Sequence, residues 1–224
     1  MLNVARDDLP ATERLRITEI FHSLQGEALT AGLPTVFVRL TGCPLRCRYC
    51  DTAYAFHGGD WHSYDDILAR IAAFGAQHVC VTGGEPLAQA NCIGLLSRLC
   101  DAGYAVSLET SGALDISAVD GRVSRVLDLK TPASGESERN VWSNVSVLNA
   151  HDQIKFVVCD RADFDWAVDK ITAFDMIARC TVWISPEHDK VALPEIADWI
   201  LESNLPLRLQ VQLHKFIWGD QPGR

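Results

Sequence analysis

The 224-residue chain has no apolar run long enough to cross a bilayer, and its first residues lack the apolar stretch of a secretory signal. No membrane association is expected, and the reading is cytoplasmic. Positive charge is scarce: 20 Lys and Arg stand against 29 Asp and Glu, a net charge of −9. Such a chain repels polyanions, so no nucleic-acid partner is expected. Glycine (15) and proline (9) are too few for a disordered or collagen-like polymer. There is no Gly-Lys-Ser phosphate loop, no Rossmann glycine fingerprint, no H-x3-H pair and no fixed-period repeat. Nucleoside triphosphates, nicotinamide and solenoid folds therefore have no support.

What is present is an ordinary globular composition with 48% hydrophobic residues, arranged as short β-rich runs alternating with amphipathic helical patterns. Strands are expected at residues 17–21, 35–40, 79–82, 105–109, 123–129, 154–158, 181–185 and 207–213. Helices are expected at 64–74, at 92–100 with Cys92, Leu95, Leu96, Leu99 and Cys100 on one stripe, at 164–174, and at 194–201 with Pro194 near its first turn. Residues 133–144 read as a loop. The order predicts an α/β fold with a parallel sheet and crossover helices, in one domain spanning 17–224 after a polar N-terminal extension at 1–16. In parallel α/β folds ligands sit beyond the carboxyl ends of strands. Those positions are unusually polar here.

Eight cysteines in a reducing compartment are not expected to pair, so their spacing is what informs. Cys43, Cys47 and Cys50 follow a strand directly with the spacing C-x3-C-x2-C. Three thiolates this close suit a [4Fe–4S] cube, which normally takes four, so one iron keeps an open position for a small molecule. A structural zinc ion needs a fourth ligand, and His57 or His62 would serve only at unusual spacing. Three unligated thiols are the plainest alternative. Cys80, Cys92, Cys100, Cys159 and Cys180 have no ligand spacing and read as small core residues.

Together with Gly83-Gly84-Glu85-Pro86, the cysteine loop resembles the radical S-adenosylmethionine (SAM) superfamily. The resemblance implies a single-domain partial (β/α)6 barrel, a [4Fe–4S] cluster on Cys43, Cys47 and Cys50, and SAM bound through the open iron. Reduction of that cluster cleaves the sulfonium to methionine and a 5′-deoxyadenosyl radical, so the chemistry is carried by cluster and radical and no catalytic side chain is assigned. Tyr49 is then placed beside the adenine, Gly84 and Glu85 at the methionine ammonium, and Lys130 and Ser134 near the ribose or adenine. An electron donor such as a flavodoxin or ferredoxin is implied.

Further segments narrow the resemblance. Ser23-Leu24-Gln25-Gly26-Glu27, Val36 to Arg39, Asp51-Thr52, Glu109 to Gly112, Asp128 to Lys130 and Gln210 to Lys215 are similar, in order from Ile17 onward, to the 7-carboxy-7-deazaguanine synthase family. That resemblance implies conversion of 6-carboxy-5,6,7,8-tetrahydropterin to 7-carboxy-7-deazaguanine with loss of ammonia, toward queuosine and related deazapurines. It also implies a homodimer, a Mg²⁺ ion at Thr52, and substrate contacts from Leu24, Gln25, Gly26, Glu27, Arg39, Thr82 and His214. These residue types suit the substrate. Its aminopyrimidinone edge presents N–H donors that Glu27 accepts, Gln25 and Thr82 complete the pairing, and Arg39 and Mg²⁺ meet its carboxylate.

Plainer readings stand beside each. Glu27 and Arg39 could form an ion pair between neighbouring strands, Lys130 and Ser134 could belong to a solvated loop, and His214 and Ser185 could be structural. Two departures from the family are visible: Ala28 where glycine is common, and a chain end of Ile217 to Arg224 that differs from the usual closing residues. The competing functions are an activating enzyme for a glycyl-radical protein and a zinc-stabilised module without catalysis.

Overall fold

The structure is a computed structural model that describes residues 13–188, 190–219, 221 and 223. Nine strands among the described residues form one sheet: β1 (Arg14–Leu24), β2 (Pro34–Leu40), β3 (Asp60–Ser63), β4 (His78–Gly83), β5 (Ala105–Thr110), β6 (Ser124–Leu129), β7 (Gln153–Val158), β8 (Thr181–Pro186) and β9 (Arg208–Leu209). Their order is β3-β1-β2-β4-β5-β6-β7-β8-β9. From β2 to β9 every neighbour is parallel, while β1 runs antiparallel to both β2 and β3. The parallel run is the partial barrel expected from the sequence.

Four helices cover its outside: α1 (Tyr64–Phe74), α2 (Cys92–Asp101), α3 (Arg161–Ala173) and α4 (Leu193–Ser203). A short fifth, α5 (Leu213–Trp218), follows β9. Helix α1 starts where predicted because Ser63 and Asp66 close a capping box, and it stops at Gly75, whose φ of 70° suits a residue without Cβ. The stripe on α2 buries Cys92, Leu95, Leu96 and Leu99 against the sheet, about 1.5–3 kcal/mol for each leucine. Helix α3 begins three residues earlier than its hydrophobic pattern, since the Asp160 side chain accepts from the Asp163 N–H and caps it. Cys80, Cys92 and Cys180 are buried free thiols, whereas Cys100 and Cys159 are half-buried.

Three features depart from the sequence reading. Strand β3 was not expected, since Asp60-Trp61-His62-Ser63 is polar, but at a sheet edge it needs only β1 as a neighbour. Strand β1 begins at Arg14 with Leu15 fully buried, so residues 14–16 of the expected extension join the sheet, and residues 1–12 lie outside the described residues. The strand expected at 207–213 shrinks to Arg208–Leu209, because the Gln210 and Gln212 side chains turn into the barrel and the Leu213 N–H bonds the Gly26 carbonyl at 3.0 Å.

The crossovers from β5 to β6 and from β6 to β7 contain no α-helix among the described residues. Short 3-10 turns at Pro132–Ser134, Ser137–Arg139 and Trp142–Val147 fill the second. Asn144 stitches the two crossovers: its side chain accepts from the Ile116 N–H and donates to the Gly112 and Leu114 carbonyls. Trp142 stacks on Phe174 with ring centroids 4.7 Å apart, supplying apolar cover in place of a helix.

Candidate active site

Because β1 is antiparallel to β2, the β1–β2 connection at residues 25–33 lies at the amino end of the parallel strands. The cysteine loop instead leaves the carboxyl end of β2. Gln25, Gly26 and Glu27 of that connection and the cysteine loop line one cavity of about 320 Å³, a volume suited to a small ligand, so that residues 25–27 form the floor of the barrel and the cysteines its mouth.

The mouth is held by its backbone. The Arg48 N–H donates to the Ser134 carbonyl at 3.0 Å, the Arg46 N–H to Glu136 at 2.7 Å, and the Arg46 guanidinium to the Cys43 and Leu45 carbonyls. All three thiols line the cavity half-exposed and unpaired with one another, and the Leu45 N–H points at Cys43 Sγ from 3.4 Å. Burial pushes the Cys43 thiol up, and it takes Cys47 to about 11 although Lys130 pulls the other way. Free, they stay protonated at neutral pH, so metal binding must displace protons. No three Cys, His, Asp or Glu side chains among the described residues converge as ligands of a single ion. Thiolates on separate irons of a cube do not require that convergence. Three uncommitted thiols on a clamped loop, with an amide directed at one sulfur, therefore fit a [4Fe–4S] cluster.

Beside the loop, Tyr49 and Lys130 line the cavity, and Lys130 Nζ stands 3.0 Å from Asp128. Burial opposes the Lys130 charge, but Asp128, Tyr49 and Cys47 outweigh it and raise its pKa. Gly84 also lines the cavity; a Cβ there would press on Cys43 Cβ and the Gly42 backbone, so only glycine allows the approach of β4 to the cysteine loop. Glu85 and Ser134 stand outside the lining. Both Glu85 oxygens are engaged, by the Thr110 hydroxyl, the Leu87 N–H and the Ser111 N–H, which turns this carboxylate away from a ligand and makes it the tie between β4 and β5. The Ser134 hydroxyl serves its own turn, donating to the Thr131 carbonyl and accepting from the Glu136 N–H.

At the floor, Leu24, Gln25, Gly26 and Glu27 all line the cavity. Glu27 is buried and accepts from Lys155 Nζ at 2.5 Å and from the Gln210 and Gln212 amides at 3.0 Å. Gln25 accepts from the Glu27 N–H, and its amide reaches Glu109 at 3.5 Å; the Thr82 hydroxyl donates to the other Glu109 oxygen at 3.2 Å. Burial and the neighbouring Glu27 raise the Glu109 pKa, against the pull of Lys155 and Arg39. The ion pair considered between Glu27 and Arg39 does not form. Glu27 pairs with Lys155, whereas Arg39 Nε donates to Glu19 at 2.7 Å and its guanidinium lies 5.9 Å from the Phe21 ring centroid.

His214 sits in the first turn of α5 and not after a long strand, and its ring covers Gly26 so closely that a Cβ there would overlap it. Burial lowers the imidazole pKa, with Glu27 pulling the other way. The Thr52 hydroxyl lines the cavity and donates to Asp51 at 2.8 Å, which leaves its lone pairs for a cation. Ser185, at the carboxyl end of β8, is buried and lines the same space. Ala28 adopts a φ of 64°, the left-handed conformation that glycine takes freely and alanine at a cost of roughly 1–2 kcal/mol. Its N–H is tied to Gln210 at 2.7 Å. Pro222 and Arg224, at the divergent chain end, lie outside the described residues.

Sequence reasoning missed Lys155 as a cavity side chain, and it treated Asp128, Glu109, Gln210 and Gln212 only as parts of similar segments. The available signal was a charged residue inside a buried parallel strand, as in Gln153-Ile-Lys-Phe-Val-Val.

A cysteine loop at the carboxyl mouth of a partial parallel barrel defines the class of protein, and residues 37–175 match the radical SAM superfamily. The 7-carboxy-7-deazaguanine synthase of Chlorobaculum tepidum is 44% identical over 92% of this chain and 94% of its own. That of Koribacter versatilis is 41% identical over 92% and 98%. The chain belongs to the 7-carboxy-7-deazaguanine synthase family of radical SAM enzymes. The crystal structure of QueE from Escherichia coli shares the fold, with a TM-score of 0.71 over 90% of this chain and 95% of that one at 24% identity. Membership carries a [4Fe–4S] cluster and SAM as cofactors and a small-molecule substrate, and it does not favour the activase and zinc-module alternatives. No helix of the described residues is long and apolar enough to cross a membrane.

Proposed function

We propose that the protein converts 6-carboxy-5,6,7,8-tetrahydropterin to 7-carboxy-7-deazaguanine with loss of ammonia, on the route to queuosine and related 7-deazapurines. The observation that carries this reading is the placement of Glu27, held by Lys155, Gln210 and Gln212, on the floor of the cavity whose mouth is the cysteine loop. When bound, the cluster and SAM supply the radical chemistry. The chain's own residues bind and orient. Glu27 accepts from the N–H groups of the aminopyrimidinone edge, with Gln25 and Thr82 beside it, while Leu24, Gly26 and His214 shape the floor. Arg39, whose Nε alone is taken by Glu19, meets the substrate carboxylate with its remaining donors.

Cys43, Cys47 and Cys50 hold the cluster; Tyr49, Lys130 and the Gly84 backbone contact SAM. Glu85 and Ser134 act on that contact through the backbone they fix. The Thr52 hydroxyl would hold a Mg²⁺ ion, which would supply positive charge for the substrate carboxylate. In this reading the chain from Arg14 onward acts as one catalytic domain, in a cytoplasmic homodimer reduced by a flavodoxin or ferredoxin.

The direct test is anaerobic incubation of the cluster-loaded enzyme with SAM, a reductant and the pterin, followed by mass analysis. The expected product carries the deazaguanine mass and appears with ammonia; 5′-deoxyadenosine formed beside unaltered pterin overturns the assignment. Titrating Mg²⁺ into metal-stripped, cluster-loaded enzyme should raise turnover in the wild type and less so in Thr52→Ala. A flat wild-type response removes magnesium and leaves Arg39 as the partner of the carboxylate.

A further inference from the structure

Strand β7 turns Ile154, Phe156 and Val158 into the apolar core, and its opposite face carries Gln153, Lys155 and Val157, of which Lys155 and Val157 line the cavity. The ammonium is 2.5 Å from Glu27 on the floor and 3.6 Å from Asp128 on the adjacent strand β6, and Asp128 is in turn 3.0 Å from Lys130. Glu27 itself is on a loop and has no strand of its own to fix it. Its carboxylate also shares the cavity with Glu109, and two buried carboxylates near each other disfavour double ionisation. The groups facing Glu109 are Gln25, Glu27, Thr82, Arg39, Lys155 and the Cys80 thiol, so Arg39 and Lys155 are the cations that compensate it. Arg39 is already matched by Glu19. Lys155 is the cation that joins the floor to the rigid sheet.

We propose that Lys155 is a positioning residue of this enzyme: from β7 it fixes Glu27 at the floor and supplies the positive charge that lets Glu27 and Glu109 occupy one cavity. This rests on the reading of Glu27 as the acceptor for the substrate edge. Lysine suits the task, because a compact ammonium reaches two carboxylates on different elements from a single strand position.

The test compares Lys155→Met, Lys155→Arg, Glu27→Gln and the double variant Glu27→Gln/Lys155→Met, each reconstituted to the same iron content. Lys155→Met is expected to lose on the order of a hundredfold in kcat/KM for the pterin, since removing one partner of a buried charge pair strands the other. Lys155→Arg should recover part of that loss. The double variant should be no worse than Lys155→Met alone, because the two side chains act as one unit. A second readout needs no turnover: the carboxyl stretching band of Glu109, assigned by infrared difference spectroscopy through Glu109→Gln, should lose its proton at higher pH in Lys155→Met than in the wild type. Multiplicative losses in the double variant, or an unmoved Glu109 band, overturn the proposal. Should the wild type leave the pterin untouched, the functional reading fails while the infrared band still decides the role of Lys155.

Discussion

At the mouth of the barrel the reactive groups come from eight consecutive residues, Cys43 to Cys50, and their side chains are left uncommitted while the backbone beneath them is clamped. On the floor the arrangement is reversed. Glu27 receives donors from residues 128, 183 and 185 positions away, and its side chain is committed before any ligand arrives. The difference follows from what each end must receive. An inorganic cluster brings its own charge and needs free thiolates, so only the loop's shape is built in advance. A neutral heterocyclic edge brings only weak donors, and a desolvated carboxylate is useful to it only when already ionised and aimed.

If the two ends are independent in this way, they should break separately. The largest effect is expected from Cys47→Ala, which removes a cluster ligand that nothing nearby replaces; the iron–sulfur absorbance and reductive cleavage of SAM should both disappear. Full cleavage activity in that variant would end the distinction. Glu27→Gln should instead keep the absorbance and the uncoupled formation of 5′-deoxyadenosine. Losing charge-assisted bonds worth about 1.5–3 kcal/mol, it should drop roughly ten- to hundredfold in kcat/KM for the pterin. Equal losses in cleavage and turnover would show the ends to be coupled.

Gly26→Ala tests the floor by shape alone. The added Cβ overlaps the His214 ring, so α5 must shift, at a cost of about 1–3 kcal/mol in stability and with a raised KM. Thermal unfolding and steady-state kinetics read both, and an unchanged KM would detach α5 from the site. The smallest effect concerns Glu109. Its folded pKa is raised, chiefly by burial, above the value in the unfolded chain, so the folded protein holds the proton to higher pH. Stability attributable to this group is therefore present at low pH and lost as pH rises from the ordinary carboxylate range through the folded value. Glu109→Gln should flatten that decline in a plot of Tm against pH, and an identical slope would place the titration elsewhere.

The same contrast explains what was readable in the sequence. The cysteine loop, the crossover helices α1 and α2 and most of the parallel strands depend on local spacing, capping and periodicity, and each is found close to where those signals put it. The partners of Glu27 were invisible because they depend on which strands become neighbours. Gln210 and Gln212 looked like strand residues, and their side chains instead end β9 by turning inward. Even the direction from which Glu27 enters was hidden: a rule that places ligands beyond the carboxyl ends of strands does not anticipate a carboxylate rising from the amino end on the return of an antiparallel strand. Arg39 illustrates the point from the other side, since its partner Glu19 lies on the neighbouring strand, directly opposite it in register.

The clamp on the cysteine loop has a consequence in time as well as in shape. The Arg46 and Arg48 amides are bonded to the turn at residues 134–136, in a crossover that no α-helix stiffens. Those two amide hydrogens exchange with solvent only when the loop lifts from that turn. Their isotope-exchange rates consequently clock the opening of the mouth, and with it the interval during which iron and sulfide enter or leave the protein.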